Sequence, residues 1–214
     1  MRPGPGRFVV FEGGDGAGKT TQVRRLCAWL EEQGHEVVRT FEPGDTPAGQ
    51  LIRRLVLDPA WGEIAPRTEA LLYAADKAQH LYEVVRPALA RGAVVVCDRY
   101  VDSMIAYQGA GRVLDSAEIE QVARWATEDL RADLTVLLDV DHLAAVSLKA
   151  DKDRVEAAGD AFHARAREHF LELATKHPAA YLVLDARASR DDLADQIRQR
   201  VRGLLSVPST KMEA

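Results

Sequence analysis

Cysteine is scarce in this sequence, with two residues, Cys27 and Cys97, in a chain of 214. That is no disulfide framework. Two thiols in a chain of this length read as buried, reduced residues of a cytosolic protein. Long apolar runs are missing too: none approaches the roughly 20 residues of a membrane span. The opening "MRPGPGR" lacks the apolar centre of a signal peptide. There is no excess of positive charge either, because 28 Lys and Arg stand against 33 Asp and Glu, a formal net charge of -5. A protein that lives on a nucleic-acid backbone needs the opposite balance. Any anionic ligand must therefore be held by local positive groups. Residues 1–6 and 206–214 read as loose ends.

What is present suits one domain spanning 1–214 with a substantial core. Five short apolar runs read as buried strands: "RFVVFE" near 7–12, "EVVRTF" near 36–41, "AVVVCD" at 93–98, "LTVLLDV" at 134–140 and "YLVLDA" at 181–186. They are continuous rather than alternating, as expected of strands covered on both faces. Helical patterns fill 18–33, 66–91, 115–130, 160–176 and 190–205, with Pro66 opening the second, where a missing amide costs nothing. Strands alternating with helices define an α/β fold with a five-stranded parallel sheet and helices on both faces. The most charged and least regular stretch, about 141–160, reads as a mobile lid.

Residues 13–20, "GGDGAGKT", satisfy G-x-x-x-x-G-K-[ST] in full. Gly13, Gly14, Gly16 and Gly18 let the backbone turn tightly, so that amides from Gly13 through Ala17 to Thr21 converge on one centre at a helix N-terminus. Lys19 is placed for the β and γ phosphates, and the Thr20 hydroxyl for Mg²⁺. An apolar strand ending in Asp98 supplies a second metal-directed oxygen. The chain is thus expected to bind ATP with Mg²⁺ as cofactor in a P-loop NTPase-type fold. That pattern alone admits a GTP switch, a mechanical ATPase or a kinase for a small acceptor. No N-K-x-D, the guanine-selecting signature, occurs, and no second large domain is present to be moved.

Two further stretches read as an acceptor pocket, "EPGDTPAGQLIR" at 42–53 and "DRYVDSMIAYQGAG" at 98–111. With "RTEALLYAADKAQH" and "DRVEAAGDAFHARAREHF", they make the sequence resemble the bacterial thymidylate kinases of the P-loop nucleoside monophosphate kinase family, over nearly the whole chain. The resemblance implies phosphoryl transfer from ATP to thymidine 5′-monophosphate (dTMP). It implies Arg99 on the acceptor phosphate, Tyr107 against the sugar where a ribose 2′-hydroxyl would lie, and Gln108 in the same wall. It implies Tyr73 stacked on thymine, Lys77 directed at a base carbonyl, and Glu42, Pro43 and Ser103 lining the pocket. It implies Asp15 on the side of the loop that faces the acceptor, in contact with the sugar 3′-hydroxyl or a nearby magnesium ion. The loop's variable positions hold no arginine, and Arg154 in "DRVE" matches the lid-arginine type that meets the transferring phosphoryl. The resemblance further implies a homodimer packed through the helices near 66–91 and 115–130, in the cytoplasm.

Departures from the family pattern are Phe41 where arginine is usual, Asp45 in place of a glycine, Lys77 in place of arginine, and Met104 where a small polar residue is usual. Lys149 and Lys152 replace lid arginines. A kinase for another nucleoside monophosphate, or a nucleotide-dependent regulator, remain the alternatives.

Overall fold

The structure of the protein is a computed structural model that describes residues 6–141 and 153–206. Its centre is the expected five-stranded sheet: β1 (Arg7–Gly13), β2 (Val37–Phe41), β3 (Val94–Asp98), β4 (Leu134–Asp139) and β5 (Tyr181–Asp185). The spatial order is β2-β3-β1-β4-β5, and every pairing is parallel. Around it lie α1 (Lys19–Glu32), α2 (Pro47–Leu57), α3 (Pro66–His80), α4 (Arg86–Ala90), α5 (Val101–Met104), α6 (Ser116–Ala126), α7 (Asp160–Lys176) and α8 (Arg190–Ser206).

Successive residues of a strand point to opposite faces, and β1 and β3 fill both. Phe8, Val10, Val95 and Cys97 pack with α3, α5 and α6 on one side. Val9, Phe11, Val94 and Val96 pack with α1 and α8 on the other. This double coverage explains why β1 and β3 read as unbroken apolar runs. Both cysteines are free and buried, and no helix among the described residues is long and apolar enough to cross a membrane.

Three helical segments outside the expected ranges help to shape the site, one of them the short α5. The first, α2, is capped by the Thr46 hydroxyl, which accepts from Gly49 N at 2.9 Å, with Pro47 in the first turn. Another is the wider-wound turn 105–111 that prolongs α5. It ends at Gly111, where a Cβ would come within 2.6 Å of the Phe162 ring. Between α3 and α4 a similar turn, 81–85, makes 66–90 almost continuous helix, as expected.

The proposed lid is only partly described, since 142–152, with Lys149 and Lys152, lie outside the described residues. Residues 153–160 correct the expectation of a polar flap. Val155 is buried, the Arg154 amide donates to Leu57 O at 3.0 Å, and Glu156–Ala158 form a helical turn leading into α7. Of the stretches expected to be loose, 1–5 and 207–214 lie outside the described residues. Gly6 and Ser206 are tied down, by bonds to Leu89 O and Gly203 O at 3.0 and 2.9 Å.

Candidate active site

The chemistry-bearing residues gather at the carboxyl ends of β1, β2 and β3, where parallel α/β sheets place ligands. β1 runs into the loop at Gly13, which has a φ of 131°, and a Cβ there would lie 2.3 Å from Leu138 O. Only glycine lets β1 press against β4 and then turn. The loop closes on Gly18, at a φ of 90°, and α1 begins at Lys19.

Lys19 is buried, and its amine donates to Gly13 O and Gly14 O at 2.9 and 2.8 Å. Burial, reinforced by the Arg99 charge, pushes its pKa down to about 8, while Asp15, Asp98 and Glu12 oppose the fall. At neutral pH it stays largely charged. The Thr20 hydroxyl donates to Asp98 Oδ2 at 2.9 Å. The two oxygens expected to face a metal are therefore adjacent, although 78 residues separate them in sequence.

Arg99 follows Asp98 in left-handed backbone, φ 71°, held there by its amide bond to Phe11 O at 2.9 Å. Such a conformation in a non-glycine residue is costly and concentrates at functional sites. Its effect is to turn the guanidinium back over the loop. Nη2 donates to Asp15 Oδ1 at 2.6 Å, and Nη1 donates to Ser103 Oγ at 3.1 Å and Tyr107 Oη at 3.4 Å. Burial alone would raise the Asp15 pKa, but Arg99 and then Lys19 outweigh it and bring it to about 2. Tyr107 is braced from behind by a stacked Phe162 ring, centroids 5.7 Å apart.

Sequence reasoning missed what holds this turn. Glu12, fully buried in β1, accepts from Tyr100 N at 2.9 Å, Ser103 N at 3.1 Å and Ser103 Oγ at 2.6 Å. Desolvation, with the Asp102 carboxylate nearby, pushes its pKa up to about 7. The available signal was a carboxylate inside an apolar strand, a residue type that is seldom buried without partners.

Two cavities meet here. One, of about 100 Å³, is lined by residues that include Tyr73, Ser103, Met104, Tyr107 and Gln108, and Glu42, Pro43 and Lys77 also border it. The other, of about 790 Å³, includes Gly16, Gly18, Lys19, Thr20, Thr21 and Asp98. Asp15, Glu42, Arg53, Arg99 and Asp153 border both, and so lie where the two cavities adjoin. Arg53 was not singled out from the sequence. It sits 5.7 Å above the ring of Phe41, the residue that replaces the usual arginine, and donates to Pro43 O at 2.7 Å.

Some expected residues are engaged differently from the roles foreseen for them. Lys77 is buried, and its amine is bound to Glu42 Oε2 at 2.5 Å. The other Glu42 oxygen meets His80 Nδ1 at 2.7 Å, and the His80 Nε2 lies 2.5 Å from the Thr40 hydroxyl, itself bonded to Asp45. Asp45 thus turns inward. Arg154 reaches neither Asp153 nor Glu156 with its guanidinium. It forms an ion pair with the buried Glu69 and donates from Nε to Val56 O at 3.0 Å.

A parallel sheet carrying a complete phosphate loop, a strand-end carboxylate and a second cavity opening past an arginine defines a P-loop kinase acting on a small phosphorylated acceptor. A family model described as thymidylate kinase matches residues 11–197. The thymidylate kinase of Cutibacterium acnes is 63% identical over 201 residues, covering 94% of this chain and 98% of that protein. That of Clavibacter sepedonicus is 56% identical over 205 residues, covering 94% and 97%. The crystal structure of thymidylate kinase from Ehrlichia chaffeensis superposes with a TM-score of 0.74 at 30% identity, covering 93% of this chain and 99% of that one. The chain belongs to the thymidylate kinase family.

Proposed function

We propose that this chain does the work of its family in the following way. It is an ATP-dependent kinase that transfers the γ-phosphoryl group of ATP to dTMP, giving ADP and dTDP for dTTP synthesis. An oxygen of the acceptor phosphate attacks γ-phosphorus in line, and the bond from γ-phosphorus to the bridging oxygen breaks, its electrons leaving with ADP. No covalent enzyme intermediate is needed. The observation that carries the reading is the position of the bonded Arg99 and Asp15 on the border shared by the two cavities.

The 790 Å³ cavity takes the triphosphate, with the amides of 13–21 and the Lys19 amine around its β and γ groups. The adjacent Thr20 and Asp98 oxygens fit Mg²⁺, a hard cation that keeps several waters and needs only one or two protein oxygens. When bound, the ion spreads phosphate charge. The smaller cavity takes the nucleoside of the acceptor, with Tyr73 against the base and Tyr107 against the sugar. Arg99 grips the acceptor phosphate with a planar fork suited to a monoester dianion, and Asp15 accepts from the sugar 3′-hydroxyl.

Gln108 donates from Nε2 to Glu69 at 3.0 Å, which leaves its carbonyl oxygen to accept the N3–H of thymine. Met104 has no such capacity. Lys77 acts through the wall by holding Glu42, and Arg53 supplies a cation beside Phe41. Arg154 meets the transferring phosphoryl after leaving Glu69. The chain works as one kinase domain in the cytoplasm and as a homodimer. Exposed Leu71 on α3, Tyr82 just beyond it and Trp125 on α6 supply the apolar surface that a partner copy would cover.

Replacing Lys19 by alanine tests the loop. Turnover is expected to fall by orders of magnitude with the melting temperature held, whereas a variant retaining half its turnover would remove this reading.

A further inference from the structure

Glu69 lies in the first turn of α3, has no solvent exposure, and gathers side chains from two other segments onto one carboxylate. Its Oε1 accepts from Gln108 Nε2 at 3.0 Å and Arg112 Nε at 3.0 Å. Its Oε2 accepts from Arg112 Nη2 at 3.0 Å and also pairs with Arg154. The fork of Arg112 thus spans both oxygens, and its carbon lies 4.8 Å above the Phe162 ring. This fixes the carboxylate plane from outside the acceptor pocket.

We infer that Glu69 is a positioning residue for base selection, which locks the Gln108 amide so that its carbonyl oxygen faces the acceptor pocket and favours a pyrimidine bearing N3–H over one whose N3 is an acceptor. This rests on the reading of Gln108 given above. An ionised carboxylate only accepts hydrogen bonds, so the amide must turn its NH₂ toward Glu69 and its oxygen away. Burial opposes ionisation of Glu69, but Arg112 and Gln108 outweigh it and hold the pKa below the ordinary range. Gln108 itself is buried and borders the smaller cavity. Among the described residues its Oε1 has no protein partner, and it is not one of the enclosed unpaired atoms, so it opens to that cavity.

Geometry adds a second point. Glu69 and Tyr73 are four residues apart on α3, hence on one face. The same helix therefore places the ring for the base and, through Gln108, the reader of its edge. Release of Arg154 empties one position on Oε2 and leaves the Gln108 bond on Oε1 intact. Base reading and arginine movement can then proceed independently.

The test is the ratio of kcat/KM for dTMP to that for dCMP, whose N3 accepts, in the full chain and in Glu69→Gln, Gln108→Ala and the double variant. A glutamine at 69 can donate as well as accept, so it no longer dictates the amide orientation. The ratio is expected to fall about tenfold in Glu69→Gln, the scale of one hydrogen bond unmade in a buried site. In the Gln108→Ala background the same change should not lower the ratio further. Loss of Arg154 placement would slow both acceptors alike and cancels in the ratio. Should Glu69→Gln fold poorly, Glu69→Asp keeps the charge but withdraws it by one methylene, and must shift the ratio in the same direction. If Gln108→Ala leaves the ratio unchanged, the reading of Gln108 is wrong. If Gln108→Ala lowers it but neither Glu69 variant does, this inference alone is overturned.

Discussion

Arg99 and Asp15 lie 84 residues apart in sequence and are joined by a 2.6 Å charge-assisted hydrogen bond on the border shared by the two cavities. Each needs the other. The guanidinium keeps Asp15 ionised in a partly enclosed place, with its pKa brought to about 2, and the carboxylate orients a guanidinium whose backbone is already turned at φ 71°. The pair supports the proposal that the acid in this phosphate-binding loop serves the acceptor.

Asp15→Asn is therefore expected to raise the KM for dTMP far more than the KM for ATP. An asparagine can still meet Arg99, but it loses the charge that fixes the fork. Equal effects on both substrates, measured by steady-state kinetics, would place Asp15 outside the acceptor site.

Arg154→Ala is expected to lower kcat by at least about a hundredfold with much less change in ATP affinity, as for an arginine that meets charge in the transition state. Arg154→Lys should recover little, because a point charge cannot replace the fork. Normal turnover in the alanine variant would mean that Arg154 stays with Glu69 throughout the cycle and has a structural role.

Glu12 gives the protein a pH-dependent stability of defined sign. Its pKa is about 7 when folded, against an ordinary 4.5, so between those values the folded state binds more protons than the unfolded state. Stability from this group is present below about pH 4.5 and is lost as pH rises toward 7. Asp76, raised to about 6 by burial and by Glu42, acts in the same direction over the lower part of that window. Denaturant melts of Glu12→Gln should show a shallower decline between pH 6 and 7 than the parent chain. An unchanged slope would show that Glu12 titrates normally.

Lys77 and Glu42 form a buried ion pair, each side chain 2% exposed or less. Lys77→Met leaves Glu42 with His80 alone, and stranding one partner of such a pair costs about 3–5 kcal/mol. Urea unfolding should show a loss of that size. A loss under about 1 kcal/mol would mean that Lys77 faces the ligand instead.

β1, β3 and β4 were legible in the sequence because burial on both faces wrote them as unbroken Val, Leu and Phe runs, and the half-buried edge strands β2 and β5 were legible from the shorter apolar groups at 37–38 and 182–184. The phosphate loop was legible because its function demands glycines at fixed spacing. α2 was hidden because Pro43, Gly44, Pro47 and Gly49 punctuate its start like a loop, although Thr46 and Pro47 are also cap and first-turn residues. Segment 105–111 was hidden by its two glycines, of which Gly111 is required by contact with Phe162. Glu12 and Glu69 escaped notice for another reason. Their partners lie 88 and 91 residues away for Glu12, and 39, 43 and 85 for Glu69. A buried carboxylate is intelligible only once the fold has brought its donors to it.

The most direct measurement is phosphoryl transfer from ATP, with Mg²⁺, to a panel of dTMP, dUMP, dCMP and dGMP under identical conditions. The arrangement of Tyr73, Gln108, Tyr107 and Arg99 predicts the highest kcat/KM for dTMP, with dTDP and ADP formed in equal amounts. A higher kcat/KM for dCMP or dGMP, or ATP hydrolysis without transfer to any acceptor, would contradict it.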